Sequence, residues 1–176
     1  MSKELIDVLD ENGVKTGKVL DRGAIHKNGL WHRAIAVAII NGKQEILLQQ
    51  RAENKEKNAG MWDISVAGHI SAGQNSKDAA LREISEEIGI EISKNELEYI
   101  FSYRMNQKVS DEFIENQFYD FYIIKNDNIK IENIKIQESE LQDIKFVDLS
   151  TLNKMLDEHI IVDRKPIYDE LVNYLK

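Results

Sequence analysis

Three glutamates lie close together near the middle of the chain, at Glu83, Glu86 and Glu87. On a helix, spacings of three and four residues put all three carboxylates on one face. Like charges at these spacings repel one another, and a bound divalent cation would turn that repulsion into ligation. Because oxygen ligands suit hard ions, the three residues predict a site for Mg²⁺ or Mn²⁺ rather than for zinc. The alternative is an acidic face that only contacts solvent.

The residues around the glutamates predict a helix with defined ends. Asn75 is a typical N-cap, with Asp78 placed as in a capping box, and Gly89 suits the left-handed position that follows a last turn. The opposite side carries an apolar stripe that would pack on a sheet, made of Ala80, Leu81, Ile84 and Ile88. We therefore expect a helix over residues 76–88 that is anchored on one side and charged on the other.

Composition limits the classes of protein to which the chain can belong. Its 176 residues are 42% hydrophobic and include one proline, which predicts a single globular domain over residues 1–176. The formal net charge of −8 disfavours a binder of nucleic acid polymers. A small anionic substrate would need local compensation from a metal and a few basic residues. The absence of cysteine excludes disulfides, thiolate nucleophiles and cysteine-based zinc sites.

The sequence gives no sign of membrane insertion or export. No window approaches the roughly 18 apolar residues of a membrane span. The first residues lack the basic and apolar regions of a signal peptide. We therefore expect no membrane partner and a cytoplasmic location.

Hydrophobic patterning predicts mostly strands, with a few helices between them. The predicted strands cover residues 4–10, 14–20, 30–40, 45–50, 62–67, 97–105, 118–125 and 144–149. A short helical turn is expected within residues 22–29, polar loops at 51–60 and 106–112, and a linker or edge strand at 126–135. Ser150 is the predicted N-cap of a helix to about Glu158, and Pro166 opens a final helix. The fold class is α/β or α+β in one domain.

Residues 68–90 resemble the Nudix box, G-x5-E-x7-R-E-U-x-E-E-x-G-U, in which U is a bulky aliphatic residue. Gly68, Arg82 and Gly89 match it together with the three glutamates, and Gln74 stands where the box has a glutamate. Segments 6–13, 29–34, 47–51 and 62–70 extend the likeness. They are similar to the Nudix branch that includes type 1 isopentenyl diphosphate isomerases.

The resemblance implies a fold and an activity. The fold is an α/β/α sandwich with a central mixed sheet. The activity is Mg²⁺- or Mn²⁺-dependent hydrolysis of a diphosphate linkage in a nucleoside diphosphate derivative or related organic diphosphate, with metal-activated water as the attacking group. The expected partner is therefore a small-molecule diphosphate, and a homodimer is common in this family.

The resemblance also implies roles for individual residues. Glu83, Glu86 and Glu87 would hold the metal with the backbone carbonyl of Ala67, and Arg82 would orient the glutamates. Nudix proteins commonly use a further carboxylate from outside the box as ligand or base. The candidates here are Glu115, just before the strand at 118–125, and then Glu112. The candidate substrate-binding residues are Arg51, Lys55, His32 and His69.

Isopentenyl diphosphate isomerase is the alternative activity. His26, His32 and His69 fall where the isomerases have metal-binding histidines, but Ala67 occupies the position of the catalytic cysteine. Gln117 occupies the position of a second glutamate, so part of the acid–base apparatus is absent. Whether the three histidines form a second metal site stays open. A non-catalytic domain that binds a nucleotide or metabolite is the third reading.

Gln74 is the one departure from the box. Its side chain keeps a hydrogen-bond acceptor but loses the charge of the family's glutamate. We therefore expect metal affinity to be lowered rather than abolished.

Overall fold

The computed structural model describes residues 4–175 and shows a nine-stranded mixed sheet with helices on both faces. The strands are β1 (Leu5–Leu9), β2 (Lys15–Asp21), β3 (Trp31–Ile40), β4 (Ile46–Arg51), β5 (Trp62–Ile64), β6 (Val66–His69), β7 (Glu98–Lys108), β8 (Ile114–Lys125) and β9 (Leu141–Val147). The helices are α1 (Arg22–Lys27), α2 (Ser76–Ile88), α3 (Leu149–Asp157) and α4 (Lys165–Tyr174).

Strand β3 is the centre of the sheet. It pairs antiparallel with β1, β4 and β6, and parallel with β8 over the whole length from Trp31↔Asn116 to Ile40↔Lys125. Nearly every residue of β3 is buried, which explains its continuous apolar sequence. Strand β4 continues the sheet by pairing with β5 and β9. Functional residues carried by β3, β6 and β8 are therefore brought side by side.

The two faces of the sheet are covered by different helices. Helix α2 buries Ala79, Ala80, Ile84 and Ile88 in the core on one face. Helices α3 and α4 close the core on the other face, where Leu152, Met155, Ile167, Tyr168 and Leu171 pack. This arrangement confirms the predicted α/β/α sandwich with a central mixed sheet. The extent of one domain over residues 1–176 stays a prediction.

Helix α2 has the predicted bounds, and its caps are those read from the sequence. The Asn75 side chain accepts a hydrogen bond from the backbone N–H of Asp78 at 3.0 Å. Gly89 ends the helix with a φ of 66°, a left-handed conformation that glycine adopts without strain. The predicted apolar stripe is confirmed, with Leu81 only half-buried at its margin.

Several predicted boundaries are wrong. The single strand over 62–67 is two strands, because the chain pairs with β4 in β5 and with β3 in β6. Ser65 lies at the change of partner, where its hydroxyl accepts from Ile39 N–H at 2.8 Å and donates to the Leu47 carbonyl. The loop expected at 106–112 is shorter, since β7 and β8 pair out to Lys108↔Ile114. This pairing also moves the start of β8 from 118 to Ile114.

The C-terminal boundaries also differ in detail. Strand β9 begins at Leu141 rather than at 144, because it pairs with β4 as far as Arg51. Asp148, not Ser150, caps α3, since its carboxylate accepts the backbone N–H of Thr151 at 2.7 Å. Residues 126–135 contain a 3-10 turn at Ile131–Asn133 and no strand. Among residues 4–175, no helix has the length and apolarity needed to cross a membrane.

Candidate active site

A cleft of about 1120 Å³ opens beside α2 and is lined by parts of the chain that are far apart in sequence. One end, called here the glutamate end, contains Glu83, Glu86 and Glu87. The other, called the histidine end, is lined by His69 and Gln117, with His26 and His32 buried next to them. The polar loop after β4 and segment 159–164, which precedes α4, form the walls between the two ends.

Arg82 organises the glutamate end. Its Nη2 lies 2.8 Å from Glu83 Oε1, and its Nη1 donates to Glu86 Oε2 at 2.9 Å. A third bond runs from Nη2 to the carbonyl of His69 at 3.0 Å, which fixes the guanidinium against β6. The expected contacts of Arg82 with the glutamates are therefore present for Glu83 and Glu86. Glu87 lies beyond them.

Two of the three glutamates are buried. Glu83 is 9% exposed and Glu87 7%, whereas Glu86 is exposed. Burial raises the pKa of Glu83 to about 7, and burial together with the charge of Glu83 raises the pKa of Glu87 well above its usual value. An acidic face that only contacts solvent would show neither feature. Ionised Glu83 and Glu87 would need more positive charge nearby than the side chains of residues 4–175 provide.

The glutamate end fits a divalent cation. Glu87 Oε2 is buried and has no hydrogen-bond partner among the described residues. At Gly68, a Cβ atom would contact the Glu83 carboxylate, so the glycine leaves the space in which that carboxylate lies. Ala67, predicted to offer its carbonyl, precedes Gly68 in the lining of the cleft. These donors are all oxygens, as Mg²⁺ and Mn²⁺ prefer.

Gln74 contacts the glutamate end through Arg82. Its Oε1 lies 3.4 Å from Arg82 Nε, a long hydrogen bond. With Gln74 in place of the glutamate of the box, Arg82 has a neutral neighbour at this position, and Arg82 is the residue that orients Glu83 and Glu86. A glutamate at this position would give Arg82 a charged partner.

The predicted phosphate-binding cations line the cleft, but both lie next to carboxylates. Lys55 forms an ion pair with Glu140, and Arg51 Nη1 lies 4.0 Å from Asp63 Oδ2. After Glu83, Glu140 is the carboxylate whose charge raises the pKa of Glu87 most. Glu140 is therefore the carboxylate from outside the box whose charge acts most on Glu87, whereas Glu4 is the one that acts on Glu83.

Glu115 lies elsewhere in the cleft. It belongs to β8 rather than to a loop, and its carboxylate pairs with Lys57, whose Nζ also donates to Gln107 Oε1 at 2.9 Å. Its charge acts on His26 and His32 and is not among the leading influences on the glutamates. The second candidate, Glu112, is exposed and lines a separate small pocket beside the cleft.

The histidine end brings one nitrogen from each of three imidazoles close to one point. Each Nδ1 faces an oxygen: Leu30 O at 3.0 Å from His32, Ile114 O at 3.3 Å from His26, and Glu4 Oε2 at 3.7 Å from His69. A carbonyl only accepts, so Nδ1 of His32 and of His26 carries the proton and Nε2 is unprotonated.

Gln117 lies among these nitrogens. Its Nε2 donates to Nε2 of His32 at 2.9 Å and to Nε2 of His69 at 3.2 Å. Burial lowers the pKa of His32 to about 4 and lowers those of His26 and His69, so all three rings are neutral at pH 7. The ligand atoms of the three histidines lie within 4.8 Å of one another. Neutral imidazoles held by second partners are typical transition-metal ligands.

Four cleft residues were missed by sequence reasoning: Lys57, Asp63, Glu140 and Arg164. Each contacts a residue that is distant in sequence, and none lies in the box. The fully buried Asp63 is an example, because only the fold shows that Arg164 reaches it.

Comparisons with known proteins agree with this geometry. Residues 30–171 match the model of the NUDIX domain. The chain is 43% identical over 126 residues to Nudix hydrolase 3 of Arabidopsis thaliana, covering 70% of the chain and 16% of that protein. It is 33% identical over 122 residues to an isopentenyl-diphosphate Delta-isomerase of Pectobacterium atrosepticum, covering 69% of the chain and 66% of that enzyme. The chain thus spans less than two thirds of the length of these relatives.

A solved structure shares the fold. The crystal structure of DR0079 from Deinococcus radiodurans superposes with a TM-score of 0.70 at 15% identity, covering 97% of this chain and 98% of that one. Because the matched domain covers most of the sequence and includes the glutamate end of the cleft, the chain belongs to the Nudix family, and its homologues include both Nudix hydrolases and isopentenyl-diphosphate isomerases.

Proposed function

We propose that the protein is a metal-dependent hydrolase of a diphosphate linkage in a small organic molecule, either a nucleoside diphosphate derivative or a related organic diphosphate. The observation that carries the proposal is the glutamate end. There, Glu83 and Glu87 are buried as acids with raised pKa values, and Glu87 Oε2 lacks a partner within the described residues. Two buried carboxylates are expensive to ionise unless a cation compensates them.

The residues of the glutamate end have distinct parts in this proposal. Glu83, Glu86 and Glu87 would hold Mg²⁺ or Mn²⁺ with the Ala67 carbonyl, and Arg82 keeps Glu83 and Glu86 in place by charge-assisted bonds. A bound divalent ion would supply neutralisation of diphosphate oxygens and activation of a water molecule. Glu140 lines the cleft and its charge raises the pKa of Glu87, which makes it a further candidate for the carboxylate from outside the box, beside Glu115 and Glu112.

The walls of the cleft support an anionic substrate. Arg51 and Lys55 line it between the two ends, and the net charge of −8 makes such local cations necessary for an anion to approach. A substrate phosphate would compete with Glu140 for Lys55.

The test is a Mg²⁺-dependent screen for phosphate or pyrophosphate release. The panel contains nucleoside di- and triphosphates, nucleotide sugars, dinucleoside polyphosphates and isopentenyl diphosphate. We expect release from at least one compound, and loss of release in Glu86→Gln and Glu87→Gln with circular dichroism unchanged. Glu91→Gln, an exposed glutamate just beyond α2, is the matched control. Full activity in Glu86→Gln and Glu87→Gln would exclude the proposed metal site.

Isomerisation of isopentenyl diphosphate is the second candidate. It is favoured by the likeness to isomerases and by the three converging imidazoles. Two positions oppose it: Ala67 has no ionisable side chain, and Gln117 donates its amide to two histidines where an acid would be needed. A rearranged product without phosphate release would replace hydrolysis as the proposed activity.

The histidine end supports a further part of the proposal, a second cation position. Three neutral imidazoles offer nitrogen ligands suited to a transition ion, and rotation of the Gln117 amide would bring its carbonyl oxygen, which has no partner among the described residues, to the same point. Metal analysis of the purified protein tests this. A His26→Asn variant should lose the bound ion, while an unchanged metal content would exclude the site.

A further inference from the structure

A buried ion pair joins the cleft to segment 159–164. Asp63 in β5 is completely buried, and Arg164, at the start of α4, is 7% exposed. Arg164 Nε donates to Asp63 Oδ1 at 2.6 Å and Nη2 to Oδ2 at 2.9 Å, so both carboxylate oxygens are engaged. This two-point geometry fixes the orientation of both side chains.

The pair is supported from two other sides. The Arg164 guanidinium lies 4.9 Å from the ring centre of Tyr119, which stacks on Tyr103 with centroids 5.3 Å apart. The backbone of segment 159–164 bonds to Trp62, which accepts Val162 N–H at 2.7 Å and donates to the Ile160 carbonyl at 3.0 Å. Segment 159–164 is therefore held to β5 in two ways, by its backbone at Trp62 and by the Arg164 side chain at Asp63.

Arg51 is the third group at Asp63. Its Nη1 lies 4.0 Å from Asp63 Oδ2, within reach of the charge but beyond hydrogen-bonding distance. Its Nε donates to the Lys57 carbonyl at 3.1 Å, and within residues 4–175 this is the only hydrogen bond from the Arg51 side chain. Arg51 is thus attracted to the buried carboxylate while its terminal N–H groups stay available to a ligand.

Stability alone is a weak reason for this arrangement. Burying an ion pair removes both charges from water, and replacing such pairs with apolar residues is often neutral or stabilising. Here two cations face the Asp63 carboxylate, and Arg51 also lines the cleft, where its charge acts on Glu87. An anionic ligand that enters the cleft is a further group that Arg51 would attract.

We propose that Asp63 is a positioning residue for substrate phosphate: it anchors Arg164 and the cleft wall, and it holds the Arg51 guanidinium toward the cleft with its terminal N–H groups free to bind a phosphate oxygen. This inference rests on the proposed function only in assigning a diphosphate to the cleft. In this role Asp63 acts through the two arginines and not by contact with the ligand.

The test measures binding rather than turnover. The probe is methylenediphosphonate, whose P–C–P bridge resists hydrolysis, titrated calorimetrically with and without Mg²⁺. The variants are Arg51→Gln, the charge-balanced pair Asp63→Asn/Arg164→Gln, and all three changes together. The balanced pair avoids leaving Arg164 buried without a counter-charge, a defect that could prevent folding in Asp63→Asn alone. Lys165→Gln/Asp169→Asn, which removes an exposed ion pair of α4, is the matched control.

We expect Arg51→Gln and the balanced pair each to weaken binding by about tenfold, the loss typical of one charge-assisted hydrogen bond. Because Asp63 acts through Arg51, the triple variant should bind no more weakly than Arg51→Gln alone. On the substrate found by the screen, the balanced pair should raise KM by a similar factor and leave kcat within about twofold.

Two results would overturn the inference: binding by the balanced pair within about twofold of wild type, or additive losses in the triple variant. A purely structural pair would instead give a shifted melting temperature with unchanged affinity and KM. These outcomes are separate from failure of the proposed function. If Glu87→Gln retained hydrolysis, the metal site would be wrong, while the binding data would still report on Asp63.

Discussion

Both ends of the cleft bury a cluster of titratable side chains, but the side chains are acidic at one end and neutral at the other. The glutamate end concentrates negative charge on one helix and has raised carboxyl pKa values. The histidine end collects uncharged imidazoles from α1, β3 and β6 and has lowered histidine pKa values. Burial is the leading cause at both ends, because it disfavours whichever form is charged.

The difference between acidic and neutral side chains determines which metal ions each end can bind. Ionised carboxylates attract a hard cation and repel one another without it, so the glutamate end should depend strongly on added Mg²⁺ or Mn²⁺. Neutral nitrogens select a softer transition ion and are stable without one, since Gln117 already donates to two of them. The ends should therefore respond independently to substitutions, metals and pH.

The largest effect is expected from Gly68→Ala. The new methyl group would overlap the Glu83 carboxylate, which must then move away from the metal position. We expect hydrolysis to fall by about a hundredfold, the scale of a misplacement near 1 Å. Phosphate release and Mg²⁺ titration are the measurements. The metal content of the histidine end should not change, and a joint loss of both would contradict the independence of the two ends.

Gln117→Glu tests the histidine end. A carboxylate in place of the amide would add a charged ligand between His32 and His69. We expect affinity for Co²⁺ or Zn²⁺ to rise by at least about tenfold, measured by competition with a chelator. The Mg²⁺ concentration required for hydrolysis should stay the same. Equal affinities in wild type and variant would show that the imidazoles do not converge on an ion.

Acid should destabilise the metal-free protein through the histidine end. The pKa of His32 is about 4 in the folded state and 6.5 when unperturbed, so between these values the unfolded chain binds more protons. Stability is then lost as pH falls from 6.5 to about 4, by about 1 kcal/mol per pH unit. The pH dependence of urea unfolding with a chelator present tests this, and His32→Gln should show a smaller slope.

The glutamate end should change the folding stability in the opposite direction as pH changes. Burial raises the pKa of Glu83 from 4.5 to about 7, so over that range the folded state binds more protons and stability falls as pH rises. Mg²⁺ should reverse this loss by stabilising the ionised form. An identical pH slope in wild type and Glu83→Gln would contradict the assignment.

The smallest effect is expected from Gln74→Glu. The residue touches Arg82 at 3.4 Å and acts on the glutamates only through it. A charged partner for a half-exposed arginine should raise Mg²⁺ affinity by about two- to threefold. Mg²⁺ dependence of hydrolysis is the measurement, and an unchanged dependence would show that Arg82 already holds its place without help.

Sequence alone predicted the helix of the glutamate end well because its information is local. The bounds of α2, its caps at Asn75 and Gly89, and the shared face of Glu83 and Glu87 all follow from spacing along one helix. Sequence could not show that these carboxylates are buried. Burial depends on how α2 lies against the sheet, and the patterns for a buried and an exposed acidic face are the same.

The walls of the cleft could not be predicted, because they depend on pairs distant in sequence. Lys57 and Glu115 are 58 residues apart, and Arg164 and Asp63 are 101 apart. For the loop that carries Lys57, the sequence indicates only that the loop is polar. Glu115 was placed before a strand, whereas pairing with β7 extends β8 past it and directs its carboxylate to Lys57. Register between distant strands is set by the assembled sheet.

The parallel pairing of β3 with β8 has a consequence for the order in which the molecule assembles. Residues joined across these strands, such as His32 and Gln117, are 85 positions apart, so a long chain segment must close before they meet. Helix α2 needs no such closure and can form within its own sequence. Helix α2 should therefore form early in folding, whereas the histidine half of the cleft should form only when the sheet is complete.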